Sequence, residues 1–383
     1  MHGFNDNPTG AGTCEQAARI ELVWDLPLRL FHWSMVCVVT LAAITGYLAP
    51  EWWLDIHVYA GYALSILLIF RFIWGFLGSY YSRFSSFTLK LKDVSKHLIS
   101  ILKFNPNSYT GHNPVGAWMI VILLATLILL VVTGLVVLGG QENQGPLAPL
   151  VNFGIADFTE DLHETLAGIL IGAVTIHLLG VFAEVKIFRH PVLKAMISGR
   201  KPVGADYVSK RGSGVLRSVA FFSLVVGIVL FMGMKLNALP SGRWRDIDVP
   251  PVYKSECGDC HHPHHPSLRS AAEWQTIMAG LEDHYGEDAS LDEETSLMIK
   301  NFLTENDARS FDTEVSNKIG RIETVSHQIT ETPYWKKRHH DVPASLFKQA
   351  SVGSKANCNG CHKDAESGGY ADENIHLPNG DQK

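Results

Sequence analysis

Long apolar runs constrain this chain more than any other feature, because a segment lying in hydrocarbon must satisfy its backbone hydrogen bonds internally and so must be helical. Five runs, near residues 28–48, 56–77, 117–138, 162–182 and 219–236, approach or exceed the ~20 residues a membrane helix needs. The polar stretch ahead of the first run has no small-residue cleavage site of the kind that marks a removable signal, so the N-terminus is expected to be retained. Lys and Arg are one-sided between the runs. Arg83, Lys90, Lys92, Lys96 and Lys103 follow the second, and Lys186, Arg189, Lys194, Arg200, Lys201, Lys210 and Arg211 follow the fourth, whereas neither type occurs over 42–70 or 112–185. Positive loops stay in the cytoplasm, so the N-terminus is expected inside and everything beyond about residue 240 outside.

Charge divides the chain at the same place. Residues 241–383 hold 24 Asp and Glu against 15 Lys and Arg, while residues 1–240 hold 14 against 17. An acidic soluble part suits a basic partner; a basic face for nucleic acid is absent.

Histidines within membrane spans are costly unless they have partners, and four occur: His32, His57, His163 and His177. By position, His32 and His177 lie toward the cytoplasmic side, and His57 and His163 open the second and fourth runs on the outer side. His163 and His177 are 14 residues apart, about 21 Å along a helix and close to four full turns, hence on one face at opposite depths. Two pairs result, His32 with His177 and His57 with His163, each able to clamp a haem iron between packed helices. His97, His112 and His190 are expected at the solvated cytoplasmic edge, and Cys37, inside an apolar run, is expected to be a small core residue. Cys14 has no assigned role.

Four of the six cysteines form the pentads Cys257-Gly-Asp-Cys-His261 and Cys358-Asn-Gly-Cys-His362. In this spacing two thiols add to porphyrin vinyl groups and the adjacent His reaches the iron. Paired Cys-x-x-Cys units can instead hold zinc, but the following His and the outward location favour covalent haem on Cys257, Cys260, Cys358 and Cys361, with His261 and His362 as proximal ligands. For the sixth ligands, spacing alone leaves His262, His264, His265, His284, His327, His339, His340 and His376 open; the cluster His262, His264 and His265 is expected mainly as solvated loop. Helical patterns lie near 270–283 and 291–304, and Pro240-Ser-Gly242 reads as a linker.

Two family resemblances add to this. The runs Val23-Trp-Asp-Leu-Pro-Leu-Arg-Leu-Phe-His-Trp33, His57-Val-Tyr-Ala-Gly61, Arg71-Phe-Ile-Trp-Gly75, Arg83-Phe-Ser-Ser-Phe87, Gly111-His-Asn-Pro114, Leu162-His-Glu164 and Met196-Ile-Ser-Gly-Arg-Lys201 resemble the bacterial cytochrome b561 and Ni/Fe-hydrogenase b-subunit family over about 20–201. That resemblance implies a four-helix core, two b haems on the four histidines above, and exchange of electrons with quinone. Arg71, Arg83 and His112 then become candidates for haem propionates or quinone, beside a solvated-edge role. The pentads, with Glu273-Trp274, Met278-Ala-Gly-Leu-Glu-Asp-His-Tyr-Gly286 and Ile329-Thr-Glu-Thr-Pro-Tyr-Trp335, resemble the dihaem cytochrome c family over about 250–378. It implies two bis-His haems with His284 and His339 as distal ligands, paired by chain proximity with the first and second haem; His340 rivals His339.

The expectation is an all-α protein: a tail (1–22), a four-helix transmembrane di-haem bundle (23–205), a fifth transmembrane helix with linker (206–245), and a small, mainly helical dihaem cytochrome c domain in the periplasm (246–383). Two b haems, two covalent c haems and quinone as substrate would form an electron path in a bacterial inner membrane. The expected partners are lipid, quinone and a periplasmic cytochrome or reductase, with a homodimer left open. Outward delivery from quinol is preferred over reverse flow or reaction with a small substrate such as superoxide.

Overall fold

The computed structural model describes residues 19–203, 207, 215–237 and 245–378. Cys14, the 240–242 linker and most of the N-terminal tail lie outside these residues. Helix dominates. Four helices are long and apolar enough to cross a membrane: α1 (Leu26–Tyr47), α2 (Leu54–Leu77), α4 (Pro114–Gly140) and α5 (Phe153–Phe182). Between α2 and α4 lies the short α3 (Leu91–Leu102), and α6 (Val192–Ser198) follows α5. α7 (Val215–Asn237) occupies the place of the expected fifth span, with its apolar run over Phe222–Leu236.

The chain divides into two compact units. One takes its described residues from Met1–Ser34, Phe70–Leu123 and Ala173–Phe222. Its core packs Val23, Trp24 and Leu28 against Trp74, Tyr81, Ala195 and Val203. Asp25 organises the entry to α1: its carboxylate accepts from the Leu28 amide, capping the helix, and from the Trp74 indole and the Ser82 hydroxyl. A two-stranded antiparallel sheet, β1 (Arg19–Leu22) with β2 (Arg200–Val203), pairs Arg19 with Val203 and Leu22 with Arg200, an element the helical reading did not contain.

The other unit takes Met35–Ile69, Leu124–Gly172 and the described residues of Ser223–Lys383. Its C-terminal part holds α8 (Pro251–Gly258), α9 (Ala271–Ala279), α10 (Glu293–Glu305) and α11 (Pro333–Arg338); single 3-10 turns join the first three, and two 3-10 turns and a π turn lie between α10 and α11. Local chemistry sets the helix starts: Ser270 accepts from the Glu273 amide, Asp292 from Thr295 and Thr332 from Trp335, and Pro251 and Pro333 occupy first-turn positions that need no N–H. Two small cores result, Tyr253, Trp274, Met278, Ile299, Phe302 and Leu303 in one and Leu268, Val315, Ile319 and Trp335 in the other.

Candidate haem sites

Two imidazoles that bind one metal ion from opposite sides through bonds of about 2 Å have ring centres roughly 6 Å apart. The structure brings three histidine pairs to that spacing: His57 and His163 at 6.2 Å, His261 and His284 at 6.2 Å, and His339 and His362 at 6.1 Å. The fourth expected pair, His32 and His177, lies in the other unit within electrostatic reach of one another, and His32 Nδ1 is buried without a hydrogen-bond partner.

Ring nitrogens are prepared for coordination by their neighbours. The Thr133 hydroxyl donates its proton to the Leu129 carbonyl, so it can only accept at 2.9 Å from His163 Nδ1–H. Thr45 likewise donates to Leu41 and, with the Ala42 carbonyl, accepts from His57 Nδ1–H at 3.1 Å. Each bond leaves Nε2 unprotonated and turned to metal chemistry, the usual outer-shell device of haem and metal histidines. The glycine after each threonine opens the space for the ring: a Cβ on Gly46 would stand 3.1 Å from His57 Cε1, and one on Gly134 3.2 Å from His163 Cε1. Sequence reasoning missed both Thr-Gly pairs, although their signal, the same dipeptide near the end of two apolar helices, is visible. α5 starts at Phe153, so His163 lies well inside the helix rather than at its mouth.

In the C-terminal domain, carbonyls do the same work: His261 Nδ1–H donates to the His262 carbonyl at 2.8 Å and His339 Nδ1–H to Trp335 at 2.9 Å. Trp335 also stacks on His339, with ring centres 4.3 Å apart and planes nearly parallel. Burial, helped by Glu256 at the first, pushes the Cys257 and Cys358 thiols up to about 11. Among the described residues no three His, Cys, Asp or Glu side chains converge to hold a metal ion unaided. The pentads have the spacing that covalent haem attachment needs, and His261 and His362 each face a second imidazole.

The His262, His264 and His265 cluster, expected in solvent, is half-buried or buried. His265 is packed against Phe311, and burial lowers its pKa to about 4. His264 stacks on His261 at 5.0 Å, too close for a metal between them. His262 accepts from Asn359 Nδ2 at 3.2 Å, which joins the two pentads. The Tyr253 hydroxyl on α8 donates to the His264 carbonyl and so ties the segment after the first pentad to that helix. His340 is exposed beside Asp341, His327 lies by Glu273, and the His376 amide donates to the Cys361 carbonyl.

The other unit corrects the solvated-edge expectation too. His97 is buried at 2 % exposure, and His112 is enclosed between Trp24 and Phe87, where burial, then Arg71 and Lys201, lower its pKa to about 3. Arg71 is buried over the Phe84 ring and donates to the Ser82 carbonyl; Arg83 donates to Gly78. His190 is half-buried against Glu184. Aromatic side chains from the loops roof this end of the helices, which hydropathy alone does not reveal. Conversely Cys37 is exposed on α1 rather than in a core, because the outer surface of such a helix is itself apolar.

Two family models match the chain. Residues 23–199 match the family model of prokaryotic cytochrome b561 and residues 253–370 that of dihaem cytochrome c. Probable Ni/Fe-hydrogenase B-type cytochrome subunits are similar: that of Cupriavidus necator is 22 % identical over 50 % of this chain and 90 % of its own length, and that of Azotobacter chroococcum 26 % over 46 % and 86 %. Among solved structures, the dihaem cytochrome c from Rhodobacter sphaeroides is 34 % identical over 32 % of this chain and 97 % of its own, with a TM-score of 0.28. The dihaem cytochrome c from Shewanella baltica is 28 % identical over 34 % and 96 %, with a TM-score of 0.27.

Proposed function

The chain belongs to the prokaryotic cytochrome b561 family over residues 23–199 and to the dihaem cytochrome c family over residues 253–370, a multi-pass membrane protein of electron transfer, and from that premise we propose that it links membrane quinone to a soluble redox partner through two b and two c haems. The observation that carries this reading is the recurrence of one geometry, ring centres 6.1–6.2 Å apart, at three histidine pairs on two differently built domains.

Bound haem supplies one-electron redox chemistry at each site. His32 with His177 and His57 with His163 would hold the b haems, Thr45 and Thr133 fixing the tautomer of the second pair. Cys257 and Cys260, with His261 and His284, would hold the first c haem; Cys358 and Cys361, with His362 and His339, the second. Two histidines at each site would leave a bound haem no open position for substrate and would suit it to electron transfer, which speaks against direct reaction with superoxide. Quinol gives up two electrons and its protons while each site accepts one electron, so the bundle divides the pair. We assign the preferred direction as quinol to periplasm in a bacterial inner membrane, with the acidic C-terminal domain meeting a basic cytochrome or reductase.

Liposomes carrying the haem-loaded protein and a quinol are expected to reduce the b haems and then both c haems; c haems that stay oxidised would refute the proposal. The hydrogenase-subunit names of the similar proteins favour the reverse direction as the second reading. Midpoint potentials of the c haems below the quinone couple would select it.

A further inference from the structure

We propose that the c haem on Cys358 and Cys361 receives electrons from the His57 and His163 site, and that the haem on Cys257 and Cys260 hands them to the soluble partner, so that the route through the C-terminal domain runs against the order of the chain. This rests on the haem assignments above. Each step oxidises one ferrous and reduces one ferric centre by a single electron, with no bond made or broken.

The contacts that join the C-terminal domain to the helix ends supply the reason. Arg338, the residue before His339, donates from one guanidinium nitrogen to Glu51 at 2.7 Å and from another to Asp372 at 2.8 Å. Glu51 begins the turn that leads into α2 and His57. The Asp372 amide donates to Glu142 at 3.2 Å, Lys318 pairs with Asp157 at 2.6 Å, and the Phe153 amide at the start of α5 donates to Asp312 at 3.0 Å. A narrow crevice between Gln141–Asn143 and Asp312–Glu314 is closed by Tyr370, whose ring lies 5.4 Å from that of His362. These bonds end on residues 312–372 of the C-terminal domain, and two of the residues at this contact, Arg338 and Tyr370, stand beside His339 and His362.

The first pentad has the opposite surroundings. Glu256 and Asp259 within the first pentad's segment are exposed, as are Glu282, Asp283 and Glu287 on either side of His284. Its link inward is the His262–Asn359 hydrogen bond, which places the two pentads side by side. The second site therefore faces the bundle and the first faces out.

Zero-length carbodiimide coupling of the haem-loaded full chain in nanodiscs, followed by peptide mapping, is expected to join Lys318 to Asp157. Links from Lys254, beside the first pentad, to Glu51, Glu142 or Asp157 would overturn the order. In stopped-flow reduction, Glu51→Gln with Lys318→Gln is expected to slow passage from b to c haems about fivefold, the scale of two lost surface ion pairs, while Glu282→Gln with Asp283→Asn slows only transfer to an added basic cytochrome. The reverse pattern would also overturn it. Failure of quinol to reduce any haem would refute quinol oxidation, yet the coupling map would still decide the order.

Discussion

In the proposed haem site at His163, Thr133 carries part of the design without touching the metal. Because the Thr133 proton is committed to Leu129, the hydroxyl can only accept, and the histidine has one nitrogen left for iron. Thr133→Val keeps the shape and removes the acceptor. Its expected effect is a loss of iron affinity at that site of about 10–100-fold, the usual cost of removing an outer-shell partner. The ratio of b to c haem in purified protein measures it, and Thr133→Ser should restore the wild-type ratio. The histidines themselves were legible in the sequence, since an ionisable group in an apolar run is conspicuous. Thr45, Gly46, Thr133 and Gly134 were not, because small and hydroxylated residues are ordinary packing residues of membrane helices. His112 and Arg71 misled in the other direction: their place at the end of an apolar run suggested solvent, and Trp24, Phe84 and Phe87 enclose them.

At the scale of elements, α11 is a six-residue helix whose position depends on its cap. Thr332 is fully buried, accepts from the Trp335 amide and donates to the Ile329 carbonyl at 2.7 Å. This turn sets the direction of Trp335, Arg338 and His339 together, so it reaches both the haem ligand and the contact with Glu51. Thr332→Ala is expected to cost about 1 kcal/mol, as losses of such caps do, and to lower the temperature at which the second c haem loses its low-spin spectrum before the first is affected. α9 and α10 fall within a few residues of their expected bounds because cap and apolar periodicity agree there. β1 and β2 escaped notice because four-residue strands some 180 residues apart carry no local signal, and their pairing is a tertiary event.

For the whole molecule, the contact between C-terminal domain and helix ends gathers Glu51, Glu142, Glu314 and Asp372 around the single guanidinium of Arg338. Burial first, then Asp372 and Glu314, hold the Glu142 carboxyl well above its ordinary range, and burial raises Glu314 as well. A carboxyl raised by folding binds more protons in the native state, so its contribution is complete below the ordinary carboxylate range near 4.5 and is lost as pH rises through the folded value. Glu142→Gln is therefore expected to melt with the wild type at pH 4 and above it at pH 8, by about 2–4 °C per kcal/mol regained, in thermal scans of the haem-loaded chain. What the sequence carried alone was composition-driven: membrane helices from apolar length, two pentads with the spacing of covalent haem attachment, and histidines whose cost in lipid calls for a partner. Only the tertiary structure decided which rings face one another, which polar groups fix them, and which pentad meets the bundle, because those depend on contacts such as Arg338 with Glu51 and Asn359 with His262, made between residues about 290 and 100 positions apart, that no local pattern encodes.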